Sequence, residues 1–229
     1  MSAPVSVIVP TWRAADGIGP CLGALAEGAV AGLVRELILS DGGSDDGIDR
    51  VADAAGARLI VGPRGRGGQL RRGAEAARGA WLLFVHADTV LGPGWVEAVR
   101  RHMAAAPEAA GWFRLAFDDP SGWARWTAGW ANLRSARFGR PFGDQGLLVP
   151  ARLYREVGGH PDWPLMEDVE IARRLRGRLR GLEAAAVTSA AKYRAEGWLR
   201  VGARNLWRQA RFAAGASPER LAGRPDARR

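Results

Sequence analysis

The chain has 229 residues, 47% hydrophobic and 25% charged, enough for one α/β domain with a sizeable core. Its only cysteine, Cys21, excludes a disulfide framework and any thiolate metal cluster within one chain, and fits a reducing cytoplasm. The net charge of +9 is uneven: residues 1–170 carry 18 arginines against 20 acids, and residues 171–229 carry 15 basic groups against 4 acids. A basic tail of that kind attracts phosphates, anionic lipid or nucleic acid.

The N-terminus has no basic start leading into an apolar run, so no signal peptide is expected. The densest apolar stretches, Trp81–Val85 and Leu147–Val149, fall far short of the roughly 20 residues a spanning helix needs. In chain order, Ser6–Pro10 reads as a buried strand and Asp16–Glu27 as a helix. Glu36–Ser40 is a second strand, ending in the turn cluster Asp41–Gly47 before a helix near Ile48–Ala55. Arg58–Val61 and Trp81–Val85 are further strands, with a helix over Gly68–Arg78 between them. This alternation through residue 106 predicts βαβ units and a mostly parallel sheet. Beyond it come a strand at Gly111–Phe117, a helix carrying Trp123, Trp126, Trp130 and Leu133 on one face, and a short strand at Gln145–Val149. Helices at Glu167–Arg176 and about Gly197–Ala214 complete the pattern. The expected fold class is therefore α/β, with a central sheet flanked by helices and a helical C-terminal segment.

Ligands of open parallel sheets bind beyond the carboxyl ends of the strands. Those ends carry Pro10-Thr11-Trp12-Arg13, Asp41-Gly42-Gly43, the basic glycine-rich loop Pro63–Gln69, and His86-Ala87-Asp88-Thr89. Glycines admit backbone N–H groups to phosphate, arginines match its charge, and a carboxylate can hold Mg²⁺ or Mn²⁺, so the mixture suits a metal–diphosphate ligand. A dinucleotide-binding fingerprint after the first strand and a P-loop are both missing.

These pieces, with Asn132–Ser135, Gly143–Gly146 and Pro164–Glu170, resemble glycosyltransferase family 2 and its GT-A fold, most closely the small bacterial radical-SAM/selenodomain-associated transferase 2 branch. The resemblance covers about residues 5–220. It implies a nucleotide-sugar-binding half over about residues 1–106, an acceptor and catalytic half over about 107–195, and a basic amphipathic helix and tail over about 196–229, all within one domain. Asp41 matches the acid that contacts the nucleobase, with Pro10 and Thr11 in the same pocket and Gly42 and Gly43 following. Asp88 matches the metal-binding acid of the D-x-D motif, and His86 stands where its first acid would be. Arg13 stands where Asn is frequent, as does Arg71 in the third helix. Arg66 and Gln69 are expected near the donor, and Asp144, Gln145 and Met166 near the acceptor or transferred sugar. Asp168 matches the catalytic base, with Glu167 beside it. The implied reaction is an inverting, metal-assisted transfer from a nucleotide-sugar, UDP by default, to an unidentified acceptor hydroxyl or carboxyl. A lipid-linked acceptor is among the candidates.

Plainer readings stand beside these. Asp41 fits a turn cap, Glu167, Asp168 and Glu170 fit first-turn acids, and Arg64, Arg71 and Arg72 fit a solvated face. His102 and His160 are expected to be structural or exposed. The tryptophan stripe is expected in the core, with Trp130 in an acceptor groove as the alternative. The last helix, with Leu199, Leu206 and Trp207 beside Arg200, Arg204, Arg208 and Arg211, fits packing on the domain, or peripheral docking on the inner face of the plasma membrane. Three rival functions remain, one of them a donor-binding protein without turnover, which the incomplete D-x-D motif would suit. A sugar-phosphate nucleotidyltransferase would release pyrophosphate. A nucleic-acid-binding protein is disfavoured because it leaves Asp41, Asp88 and Asp168 unexplained.

Overall fold

A computed structural model describes residues 3–223. The first half alternates β1 (Val5–Thr11), α1 (Gly19–Val30), β2 (Val34–Asp41), α2 (Ile48–Ala54), β3 (Arg58–Val61), α3 (Arg66–Ala76) and β4 (Trp81–Phe84). β5 (Thr89–Leu91), α4 (Trp95–Ala105), β6 (Ala110–Phe117) and α5 (Gly122–Phe138) follow. After a 3-10 turn at Gly143–Gln145 come β7 (Leu147–Pro150), α6 (Ala151–Glu156), α7 (Glu167–Arg174), β8 (Leu179–Thr188), α8 (Ala191–Glu196), α9 (Trp198–Ala213) and α10 (Pro218–Leu221).

All strands join one eight-stranded sheet in the order β3-β2-β1-β4-β7-β6-β8-β5. β3, β2, β1 and β4 are mutually parallel, as expected of βαβ units. β7 then runs antiparallel to both β4 and β6, β6 and β8 are parallel, and β5 closes the edge antiparallel to β8. The sheet is thus mixed, parallel chiefly in its first half.

The period of two along β1 sorts the core into two faces. Val5, Val7 and Val9 pack with Ile18, Leu25, Ile48, Trp95 and Val99, while Ile8 faces the other way, with Leu70, Tyr154, Ile171 and Leu175. Both layers are buried, so β1 and β4 read as continuous apolar runs.

Several elements differ from the sequence reading. α1 begins at Gly19, where Pro20 fits the first helical turn, and Gly143–Gln145 turns rather than starting β7. β8 escaped it because its inward residues include Ala184 and Ala186, small side chains that suit the crowded seam between β6 and β5 but carry no strand propensity. The tryptophan stripe of α5 is not core: Trp126 is 63% exposed, and Ala124, Ala131 and Ser135 face inward instead. α9 buries only Val201. No helix among the described residues is long and apolar enough to cross a membrane.

Candidate active site

Three loops meet at the carboxyl edge of the parallel strands, and Asp41 binds the first two together. It is 1% exposed. Its Oδ1 accepts from the hydroxyls of Thr11 and Ser44 at 2.8 and 2.7 Å, and its Oδ2 from the N–H groups of Gly43 and Ser44 at 2.7 and 2.6 Å. Burial pushes its carboxyl up, and these four bonds outweigh burial and hold it below the usual range. The clamp continues as Arg13 N–H donates to Ser44 Oγ and Ala15 N–H to Asp46. It holds Arg13 at φ 48°, a strained conformation for a non-glycine residue. Arg72, expected in solvent, donates to the Asp41 carbonyl at 3.0 Å.

Above this clamp lies a cleft of about 620 Å³ lined by Pro10, Thr11, Trp12, Arg13, Arg64, Arg66, Gln69, His86, Asp88 and Leu165. Asp41, Gly42 and Gly43 are not in its lining; Asp41 shapes it from below through Thr11. Gln69 forms part of the floor, its amide donating to the carbonyls of Thr11 and Ser40 at 2.6 and 2.9 Å. Arg64 stacks over the Trp12 ring, 4.5 Å from its centroid. Sequence reasoning did not pick out that pair as a wall of the site, because stacking across 52 positions leaves no local pattern.

α3 enters the site at Arg66, and the next residue must be glycine. A Cβ at Gly67 would lie 2.1 Å from the Pro161 carbonyl oxygen, so only glycine lets the loop before α7 pack on α3. That contact sets Arg66 against α7, where its Nε donates to the wholly buried Glu167. Met166, just before the helix, adopts φ 66° and helps turn the chain there. Glu167 therefore holds Arg66 and is closed off from solvent.

Asp168 lies next to it and lines a chamber that adjoins the cleft, the two sharing Arg66, His86 and Asp88. Its Oδ2 accepts from Gly143 N–H at 3.0 Å and its Oδ1 from Val169 N–H at 2.8 Å. Burial raises its pKa, but Arg66, the two N–H groups and His86 outweigh burial and hold it below the ordinary value. His86 touches the same turn; a Cβ on Gly143 would sit 2.7 Å from its ring. Burial, then the neighbouring Arg66, lowers the His86 pKa to about 4, so its imidazole is neutral at pH 7. Asp144 is pushed up to about 6, first by burial and then by Asp168.

Asp88 stands exposed on the cleft wall, and among the described residues no hydrogen bond or ion pair engages its carboxylate. The described residues hold no group of three or more metal-ligating side chains. Asp88, with the neutral His86 nearby, fits a divalent cation shared with an anionic ligand rather than one caged by protein alone.

Asp88, Asp144, Met166 and Asp168 also line a second chamber of about 260 Å³, with Thr188, Lys192, Tyr193 and Asn205. Trp130 lines a third, apolar groove. Gln145 reaches none of these spaces. It is wholly buried and bonded to Ser135, Phe142 and Phe113, a brace for the turn that presents Asp144. His102 and His160 are both buried and bonded to Ala109 and Tyr154, structural rather than exposed. Tyr193, Asn205 and Gln209 were not singled out beforehand, since polar residues on a helix carry no catalytic signature.

A parallel-strand edge bearing a clamped polar cleft, with carboxylates in the chamber that adjoins it, puts the site where open α/β sheets bind their ligands. The chain belongs to glycosyltransferase family 2, whose model, Glycosyl transferase family 2, matches residues 6–152. A PGL/p-HBAD biosynthesis glycosyltransferase of Mycobacterium tuberculosis is 36% identical over 99 residues, 40% of this chain and 38% of the relative. The chain thus matches well under half the length of that protein. Among solved structures, residues 1–349 of TarS of S. aureus in complex with UDP-GlcNAc superpose with a TM-score of 0.63 at 16% identity, covering 81% of this chain and 58% of that TarS fragment. Glucosyl-3-phosphoglycerate synthase of Mycobacterium tuberculosis, solved with Mn²⁺, UDP and phosphoglyceric acid, gives 0.56 at 19%, covering 81% and 69%. At such identities these two structures establish the GT-A fold alone.

Proposed function

We propose that the protein is an inverting glycosyltransferase that moves a sugar from a nucleoside diphosphate sugar, UDP-linked by preference, to an acceptor hydroxyl or carboxyl. The observation that carries this reading is the placement of Asp168, held ionised, in a chamber that shares Arg66, His86 and Asp88 with the polar cleft beginning at Thr11.

In this reading the nucleoside lies over Pro10, Thr11 and Arg13, and the diphosphate lies between Arg66 and Asp88. Negative charge grows on the leaving diphosphate in the transition state, where the Arg66 guanidinium can stabilise it. A divalent cation, Mg²⁺ or Mn²⁺, held by Asp88 with His86 nearby would supply Lewis-acid stabilisation of the same charge. Asp168 removes the acceptor proton as the acceptor oxygen bonds to the anomeric carbon and the bond to the diphosphate oxygen breaks. Asp144, titrating near neutrality beside it, binds the acceptor or sugar hydroxyls. Glu167 keeps Arg66 in place without meeting substrate.

We further place the protein in the cytoplasm, docked on the inner face of the plasma membrane. The single, free Cys21 and the exposed apolar and arginine-rich surface of α9 support this.

Thermal shift tests the donor reading, because ligand bound to the folded state raises Tm. UDP or a UDP-sugar should raise it, and Mn²⁺ should add to the rise. Asp88→Ala should remove the metal-dependent increment. Asp168→Asn should keep the full shift while transfer drops by about 10²-fold or more. A Tm indifferent to every nucleotide and nucleotide-sugar, with and without Mn²⁺, would end the reading.

A further inference from the structure

The cleft continues past Asp168. The chamber of about 260 Å³ shares Phe142, Asp144, Tyr193, Asn205 and Gln209 with a groove of about 450 Å³ between α5 and α9. That volume lies within the range of ligand pockets, about 300–1,000 Å³. The groove changes character along its length. Near Asp144 it is polar. Farther out, Trp123, Trp126 and Trp130 of α5 line it together with Trp198, Leu199, Gly202 and Leu206 of α9.

Apart from Trp198, which packs on Phe117 and Tyr193, these outer side chains are open to solvent: Leu199 is 66% exposed. Soluble proteins seldom leave so many large apolar residues together without an occupant. The α5 stripe and the α9 face are therefore two walls of one apolar slot. Packing α5 against the sheet does not require them, because Ala124, Ala131 and Ser135 already do that. Asn132 adds a pair of hydrogen bonds to the Leu115 backbone.

We propose that the α5–α9 groove holds the apolar chain of an amphiphilic acceptor, whose hydroxyl-bearing polar head sits in the chamber beside Asp168. The inner end supplies the hydrogen-bonding groups such a head needs, from Thr188, Lys192, Tyr193, Asn205 and Arg208. The outer end offers apolar and aromatic surface without charge, which suits an alkyl or isoprenoid chain and disfavours a soluble glycan. A chain lying in the slot would point its head at the ionised carboxylate and its tail toward the exposed apolar edge. The word acceptor rests on the glycosyltransfer reading; the binding of such an amphiphile does not.

The test uses n-dodecyl β-D-maltoside below its micelle concentration, maltose as the tail-less control, and the apolar dye N-phenyl-1-naphthylamine. A Cβ at Gly202 meets nothing within 4 Å, so Gly202→Leu fills the slot without a clash and favours the helix. Gly129, also free of neighbours but outside the groove, supplies Gly129→Leu as control. The dye should bind the wild type and be displaced by the maltoside but not by maltose. Gly202→Leu should weaken both ligands at least tenfold, and Gly129→Leu neither. Arg208→Ala should weaken the maltoside severalfold and spare the dye, since it lines only the head chamber.

Equal binding by Gly202→Leu and wild type, displacement by maltose, or no dye binding at all would overturn the groove assignment. An unchanged maltoside affinity in Arg208→Ala would overturn the placement of the head. UDP-induced thermal shifts run on the same proteins separate the two questions. Groove binding without any nucleotide response counts against the donor reading, and a nucleotide response without groove binding counts against this one.

Discussion

Arg66, the first residue of α3, holds the buried carboxylate of Glu167, the first residue of α7, across 101 positions of sequence. Glu167 is 0% exposed, and among the described residues its second oxygen has no hydrogen-bond partner, so Arg66 is its main compensation. Burial pushes the Glu167 pKa up, Asp168 adds to that, and Arg66 opposes it. The pair ties the cleft's basic wall to the helix that presents Asp168.

Breaking this pair from the arginine side should therefore be costly. Arg66→Ala leaves an uncompensated buried acid, and about 3–5 kcal/mol of stability should be lost in urea unfolding. Arg66→Met with Glu167→Leu removes both charges and should recover most of that loss, because a packed apolar pair avoids the desolvation cost. UDP binding should remain weak in the double variant, since the guanidinium facing the cleft is gone. Recovery of UDP affinity along with stability would show that Arg66 serves structure alone.

The four bonds of Asp41 make a second prediction. Asp41→Ala strands two backbone N–H groups and two hydroxyls, which should cost about 2–4 kcal/mol. The wild-type carboxyl is held below its usual range, so its contribution is present above about pH 4 and is lost as pH falls through the depressed folded value. Nucleotide affinity should fall with stability, because Thr11 and Arg13 are positioned through this carboxylate. A variant that loses nucleotide binding at full stability would instead assign Asp41 to direct contact with the base.

The fold's first half was legible because its strands carry their signal locally. Val5, Val7 and Val9 alternate with Ile8 over a doubly buried strand, and β2 and β3 end at Asp41-Gly42 and Gly62. The site was legible as a set of strand ends, which is why Thr11, Arg66, His86 and Asp88 fall in one cleft. Other features depend on the assembled structure. The alanines of β8 read as strand only beside β6. The α5 tryptophans have the spacing of a core face, and only the assembled sheet shows that the opposite face is the buried one. Gln145 and Glu167 look like site residues from their neighbours in sequence, yet both turn inward, each beside an acid that faces the chamber.

Asp144 gives a pH signature with a definite sign. Its pKa is raised to about 6 by burial and by Asp168, from an ordinary value near 4. Between those values the folded state binds more protons than the unfolded state, so this carboxyl's contribution to stability falls as pH rises through the window, then levels off. Asp144→Asn removes the penalty and the repulsion of Asp168. Its Tm should exceed that of the wild type at pH 7.5, with the gap closing by pH 4. A gap independent of pH would mean that Asp144 does not titrate in this window.

The surface of α9 combines two attractions of different salt dependence. Leu206 and Trp207 stand exposed, and Arg211 stacks over the Trp207 ring at 4.9 Å, holding charge beside apolar area. Arginines near an anionic bilayer contribute about 1 kcal/mol each, and the ring buries apolar surface in the headgroup region. The protein should sediment with phosphatidylglycerol-containing vesicles at low salt, and only weakly with pure phosphatidylcholine. Salt of about 0.5 M should remove most of the binding. Arg200→Glu with Arg211→Glu should weaken binding about tenfold or more, and Trp207→Ser should weaken the part that survives salt. Equal binding to neutral and anionic vesicles would leave only the apolar contribution. No binding to either would return α9 to a solvated helix whose inner face, through Gly202 and Asn205, serves the groove alone.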